Sequence, residues 1–209
     1  MRIVKEHDER KNEIIDTSAL LFESKGYEEC SVNDILNAIG IAKGTFYHYF
    51  KSKEEVLDAV IAKITEAIVD RVREVAADGA MTPGDKLLQA FLSMRVKKTD
   101  GDSLLQELHQ PENIRMHQKS LVSMVTALTP ILSDIVEQGN QSGEFCCPYP
   151  KQYMQILLSS ALTLLDEGIF AVEPESEALL FEALMTLLEK MLGVAKGSIK
   201  EAALQYWQF

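Results

Sequence analysis

Apolar residues along this 209-residue chain recur at three- and four-residue steps, and no stretch between turn signals sustains the alternation of a half-buried strand. That period restricts the chain to helices, each burying one apolar stripe against its neighbours. Ile15, Ala19 and Phe22 mark a first helix of roughly residues 7–25, which stops at Lys25-Gly26. Val32, Ile35, Leu36 and Ile39 mark a second, much shorter helix. Ser31 precedes it, with an oxygen that can accept a free backbone N–H, and Asp34 can answer from three residues on. Gly40 follows it and can take the left-handed conformation that closes a helix. A third segment, Lys43 to Phe50, places Phe46 and Phe50 on one face. Ser52-Lys53-Glu54-Glu55 then reads as another capping box, opening a long helix through Leu57, Ile61, Ile64, Ile68 and Val72.

Asp78 to Gly84, rich in Gly and Pro, is the first clear break. Beyond it the pattern predicts helices at about 84–97, 102–109, 112–139, 150–170, 175–193 and 197–206. A second break falls at Gly139 to Phe145, followed by Pro148 and Pro150. The expected fold class is all-α, with neither internal repeats nor low-complexity segments.

Ordinary globular composition, 46% hydrophobic and 25% charged, excludes disorder. The densest apolar run, Ile156 to Leu165, is broken by Ser159, Ser160 and Thr163, so no membrane span is expected. Met1 to Arg10 is highly charged and has no secretory h-region, so a cytoplasmic location is expected. The three cysteines make no disulfide framework. Cys146 and Cys147 are adjacent and lack a basic neighbour that would lower a thiol pKa, which favours inert thiols over a redox sensor. His109 and His117 are eight apart, with no HxxxH or CxxC spacing, so no metal site and no cofactor are expected. Neither GxSxG nor a P-loop nor a dinucleotide fingerprint occurs, and the expectation is that the chain is not an enzyme.

Net charge is −11, which argues against a general nucleic-acid coat. The imbalance is uneven, because Cys30 to Lys53 holds three lysines and one acid while residues 59–209 hold 13 bases and 20 acids. The locally basic stretch is also where two short helices meet through Gly40-Ile41-Ala42, the arrangement of a helix-turn-helix. If Val32, Ile35, Leu36, Ile39, Phe46 and Phe50 bury against the first helix, the outer face of the second short helix is left for a major groove. That face holds Lys43, Gly44, Tyr47 and His48, with Thr45 beside them. Lys43 can reach a guanine acceptor edge, Gly44 admits close backbone approach, and Thr45, Tyr47 and Tyr49 can donate hydroxyls to phosphate. Lys53 lies near a helix N-terminus, where anions are favoured. The same residues suit a second reading, an ordinary aromatic surface packed on the next helix among solvated lysines.

The run Gly40-Ile41-Ala42-Lys43-Gly44-Thr45-Phe46-Tyr47-His48-Tyr49-Phe50-Lys51-Ser52-Lys53-Glu54-Glu55 closely resembles the DNA-binding signature of the tetracycline-repressor (TetR) family. Gly26-Tyr27 and Ser31 to Ile35 resemble that family's first turn and second helix, so the match covers roughly residues 8–60. The remainder agrees in length and helical pattern, and Gly139 to Phe145 resembles a loop common before the last helices. The resemblance implies a homodimeric transcriptional regulator, usually a repressor, released from DNA by a small-molecule effector. It implies a three-helix helix-turn-helix DNA-binding domain over residues 1–53, a connecting helix over 54–78, and a helical ligand-binding and dimerisation domain over 79–209. Carried over by position, Lys43 and Gly44 face bases and Asn33 adds a contact from the preceding helix. Thr45, Tyr47, Tyr49 and Lys53 contact phosphates, Ser31 is a phosphate-touching cap, and His48 occupies a position where members vary.

The family arrangement also implies a four-helix dimer interface built from the last two long helices. Leu158, Leu162, Leu165 and Ile169 repeat at helical steps there, as do Leu180, Leu184, Leu187, Leu188 and Met191; a core within one protomer would show the same pattern. Pocket candidates on the middle helices are Met94, His109, Met116, His117, Met124 and Tyr153, although Met at helical spacing also fills cores. The expected partners are double-stranded DNA with an inverted repeat, an unknown effector and a second copy of the chain. A regulator acting through protein partners on its acidic body, and an enzyme with an unrecognised pocket, stand as rivals. Arg2, Lys5, Arg10 and Lys11 are interleaved with Glu6, Asp8 and Glu9, so no DNA-contacting arm is expected, and His7 reads as solvated.

Overall fold

The computed structural model describes residues 2–94, 114–165, 174–199 and 201. Among them the chain is helical throughout, with eight helices: α1 (Arg2–Lys25), α2 (Val32–Ile39), α3 (Lys43–Tyr49), α4 (Lys53–Ala77), α5 (Pro83–Met94), α6 (Ile114–Ser142), α7 (Pro150–Leu164) and α8 (Pro174–Leu192). The all-α expectation holds. The predicted helices at 102–109 and beyond residue 201 lie outside the described residues. The described residues divide between two compact units, one of residues 2–64 with 114–120, the other of 65–94, 121–165, 174–199 and 201.

The first unit is built around one apolar cluster. Ile14, Ile15, Ala19 and Phe22 of α1 meet Ile35 of α2, Phe46 of α3 and Phe50 at its C-terminal cap, and Val56, Leu57, Val60 and Ile61 of α4. Val32, Leu36 and Ile39 pack against it partly buried. Each fully buried side chain of this size contributes about 1.5–3 kcal/mol through area removed from water. That burial matters most for α3. Seven residues are too few to hold a helix in water, so its geometry depends on Phe46 and Phe50, which are 0% and 3% exposed. At the start of α6, Lys119 Nζ lies 3.0 Å from Glu54 Oε1 and 2.5 Å from Asp58 Oδ1 on α4.

In the second unit, Ile68, Val69, Val72, Leu87, Leu128, Leu132, Ile135, Val136, Met154, Leu157, Leu158, Leu184, Leu188 and Leu192 are buried. Glu189 is buried as well, and its carboxylate accepts the backbone N–H groups of Gly197 and Ile199, both at 2.9 Å. Asn140 ties the segment after α6 in both directions, donating to Cys147 O at 2.9 Å and accepting from Cys147 N at 2.8 Å.

Two expectations are corrected. First, α1 begins at Arg2, several residues before the first apolar repeat. Second, α6 does not stop at Gly139 but runs to Ser142, and the left-handed residue that follows is Gly143, with φ 79°. Gly139 is a glycine for another reason: a Cβ there would overlap Cδ2 and Cε2 of the Phe145 ring, which folds back against α6. Gln118–Ser142 within α6 has, by length and composition alone, the hydropathy of a membrane-crossing helix. Its Leu128, Leu132, Ile135 and Val136 are core residues of the second unit.

Candidate nucleic-acid interface

The helix-turn-helix is assembled by local chemistry that the sequence specifies. Ser31 Oγ accepts the N–H of Asp34 at 3.2 Å, and the Asp34 carboxylate accepts the N–H of Ser31 at 2.8 Å, completing a capping box at the start of α2. The same carboxylate takes a hydrogen bond from Lys25 Nζ at 2.7 Å. Together Lys25 and Ser31 hold the Asp34 carboxyl well below the usual carboxylate range. At the other end of α2, Gly40 adopts φ 76°, and both Gly40 N and Ile41 N donate to Leu36 O. The chain then re-enters a helix at Ala42, which supplies no side-chain cap to α3.

With Phe46 and Phe50 turned into the core, the outer face of α3 presents Lys43, Gly44, Tyr47 and His48, all exposed. Lys43 Nζ lies 5.9 Å from the centroid of the Tyr47 ring, so cation and phenol share one patch. Tyr47 is 46% exposed, an unusual setting for a large aromatic side chain inside a folded unit. Gly44 has no packing reason to be glycine: a Cβ would meet nothing within 4 Å, and its φ is not positive. Thr45 and Tyr49 are half-buried beside this face, and Asn33 is exposed on α2.

Two predicted phosphate ligands have other partners. The Ser31 hydroxyl donates its one hydrogen to Asp34 Oδ2, leaving it with acceptor capacity only. Lys53 is half-buried; its Nζ donates to Tyr27 O at 2.7 Å and Glu28 O at 3.3 Å, and sits 4.2 Å from the centre of the Tyr27 ring. Lys53 thus fastens the α1–α2 turn to the start of α4 and keeps one ammonium N–H for any anion.

One contact was not foreseen. His7, expected to be solvated, lies with its ring 4.7 Å from that of Tyr49 and 5.7 Å from that of His48. Lys11, one turn further on, reaches over the Phe50 ring at 5.9 Å. No sequence signal marks these pairs, because the partners are some 40 residues apart and the contact is purely tertiary.

In the second unit the candidates separate. Leu158, Leu184 and Leu188, expected at a dimer interface, are core residues of the protomer; Leu162, Leu165 and Leu180 are half-buried, and Ile169 lies outside the described residues. Among the described residues, the large apolar side chains that these two helices leave exposed are Ile156 on α7 and Leu179 and Leu187 on α8. A leucine repeat shows which positions are apolar, and the structure adds which of them the protomer has already used. Of the pocket candidates, Met94, Met124 and Tyr153 are half-buried, while His109 and the side chains of Met116 and His117 lie outside the described residues. A cleft of about 460 Å³ in this unit is bordered by Asp85, Leu88, Glu144, Phe145, Val194 and Ile199, and by none of those candidates. Cys30 and Cys147 are buried and burial pushes both thiols up, away from thiolate chemistry; Cys146 is exposed. Among the described residues no three His, Cys, Asp or Glu side chains are grouped to hold a metal ion.

Known proteins share both halves of this arrangement. Residues 14–60 match the profile of bacterial regulatory proteins of the tetR family, and residues 97–186 match a tetracyclin repressor-like C-terminal domain. The chain is 26% identical over 140 residues to the HTH-type transcriptional repressor KstR2 of Rhodococcus jostii, covering 65% of this chain and 68% of that protein. It is 30% identical over 136 residues to a fatty acid metabolism regulator protein of Bacillus subtilis, covering 63% of this chain and 69% of that one. The fold is shared with the crystal structure of RolR in complex with resorcinol, at a TM-score of 0.67 and 18% identity over 96% of this chain and 95% of that one. With the capped helix-turn-helix, the outward face of α3 and these matches in both halves, the chain belongs to the tetR family of bacterial regulatory proteins and is a transcriptional regulator, not an enzyme.

Proposed function

We propose that this regulator is a cytoplasmic repressor that binds an inverted-repeat operator as a homodimer and leaves it when a small-molecule effector binds. The observation that carries the reading is the outer face of α3: Lys43, Tyr47 and His48 exposed around a glycine with open space above it, on a helix anchored from behind by Phe46 and Phe50. Lys43 and Gly44 face bases, with Asn33 beside them; Thr45, Tyr47, Tyr49 and the remaining donor of Lys53 face phosphates. Residues 1–53 form the reading domain, 54–78 the connecting helix, and 79–209 the effector-binding and dimerisation domain. Two copies pair through α7 and α8 along the exposed Ile156, Leu179 and Leu187, which supports half-sites about one DNA turn, roughly 34–36 Å, apart.

Release follows from differential affinity. An effector that favours, by about 1–3 kcal/mol, the form that does not bind the operator weakens DNA binding roughly 5- to 150-fold. Acyl compounds are the first effectors to screen, because a relative is named for fatty acid metabolism and the half-buried Met94 and Met124 suit an apolar ligand. The test is selection of bound sequences from random DNA, followed by footprinting at two salt concentrations. A protected inverted repeat whose affinity falls steeply with salt is the expected result. Failure to enrich any sequence overturns the proposal.

A further inference from the structure

The meeting of α1 with α3 joins a second helix to the reading face. His7 is half-exposed, and its ring stands edge-on to that of His48, 5.7 Å between centroids, with the Tyr49 ring against both. Two imidazoles are thereby held side by side at the C-terminal end of the reading helix, on residues that can donate N–H bonds and change charge between pH 5 and 8. The charged residues near His7 and His48 along these elements are Glu6, Asp8, Glu9, Arg10 and Lys11 on α1, Lys43 on α3, and Lys51 and Glu55 where α3 gives way to α4; Arg10 is paired with Glu13. Asp8 Oδ1 stands 3.5 Å from His7 Nδ1, which leaves Nε2 of His7 as the nitrogen for an outside partner. Glu55 is occupied, its carboxylate accepting the Lys51 N–H. The Lys11 ammonium is directed at another ring, lying 5.9 Å from the centroid of Phe50.

We propose that His7 and His48 form a paired-imidazole site for one backbone phosphate of bound DNA, so that α1 belongs to the interface and operator binding takes up protons. A phosphodiester placed against the two imidazoles is a shared counter-ion, and it offers an acceptor to each ring. Protonation therefore favours the complex over the free protein, and affinity rises as pH falls. The inference rests on the DNA-binding reading above, and it adds a contact that the helix-turn-helix alone does not supply.

The experiment uses the full chain and an operator selected from random DNA at pH 7, with affinity followed by fluorescence anisotropy between pH 6 and pH 8 at fixed salt. The wild type is expected to bind roughly tenfold more tightly at pH 6 than at pH 8, in line with uptake of about half a proton averaged over that range. H7Q and H48Q should each reduce that ratio to about threefold or less, and H7Q should lower the salt slope at pH 6 by about one. Thermal unfolding of H7Q should match the wild type, since the side chain is half-exposed. An H7Q variant with the wild-type pH profile and salt slope overturns the proposal, as does a flat wild-type profile on a selected operator. Selection that yields no operator at all overturns the DNA-binding reading with it, so the two failures are distinguishable.

Discussion

Replacing Gly44 with alanine should move stability and DNA affinity in opposite directions. In the free protein the new methyl meets nothing within 4 Å, and the backbone there is not in the left-handed region. Glycine costs a helix interior about 0.8–1 kcal/mol relative to alanine. At the second residue of α3 about half of that is expected, near 0.5 kcal/mol. For a chain of this size that raises the melting temperature by about 1–2 °C. Against a groove the sign reverses: an added methyl in a closely packed contact costs about 1–3 kcal/mol, a loss of roughly 5- to 150-fold in affinity. Thermal unfolding by circular dichroism measures the first effect and anisotropy on a selected operator the second. Gly40→Ala is the control, because φ 76° there makes alanine costly by about 1–2 kcal/mol. A G44A protein that melts lower than the wild type, or binds operator equally well, refutes the argument that this glycine is kept for its partner.

Asp34→Asn should destabilise the protein at neutral pH. Because Lys25 and Ser31 hold the carboxyl well below its ordinary value of about 3.9, the stabilisation is complete above that pH and is lost progressively as pH falls from there toward the depressed native value, so wild-type and D34N stabilities should begin to approach one another only below about pH 4. Leu187→Glu should leave the protomer folded yet shift sedimentation from dimer to monomer, since Leu187 is 41% exposed; Leu188→Ala, at a fully buried neighbour, should cost about 2–5 kcal/mol of unfolding free energy. An L187E protein that remains dimeric at low concentration removes this face from the proposed interface. Gly139→Ala should cost about 1–3 kcal/mol by displacing the Phe145 ring, and most of that loss should return when Phe145 is also shortened to leucine; an unchanged melting temperature for G139A excludes the close approach.

The reading motif was legible in the sequence because its signals are local. Ser31 and Asp34 cap α2 from within four residues, Gly40 closes it, and the Phe46–Phe50 spacing states which side of α3 is inward. What could not be read was set by distant partners. Gly139 resembles a helix breaker until Phe145 is seen lying against it. Lys53 resembles a free cation until the Tyr27 and Glu28 carbonyls are seen around it, and His7 belongs to a charged leader until α1 carries it to Tyr49. The leucines of α7 and α8 show the same limit: periodicity identifies an apolar stripe but not whether the protomer or its partner covers each member.

The brevity of α3 also bears on how such a protein changes over generations. Phe46 within the helix and Phe50 at its C-terminal cap hold it in place, while Lys43, Gly44, Tyr47 and His48 face outward and belong to no core cluster. Substitutions at Lys43, Tyr47 or His48 therefore leave the scaffold standing, and the preferred DNA word can drift one letter at a time without passing through an unfolded ancestor. Phe46 and Phe50 have no such freedom: losing either releases the helix itself, and with it every word the protein could learn to read.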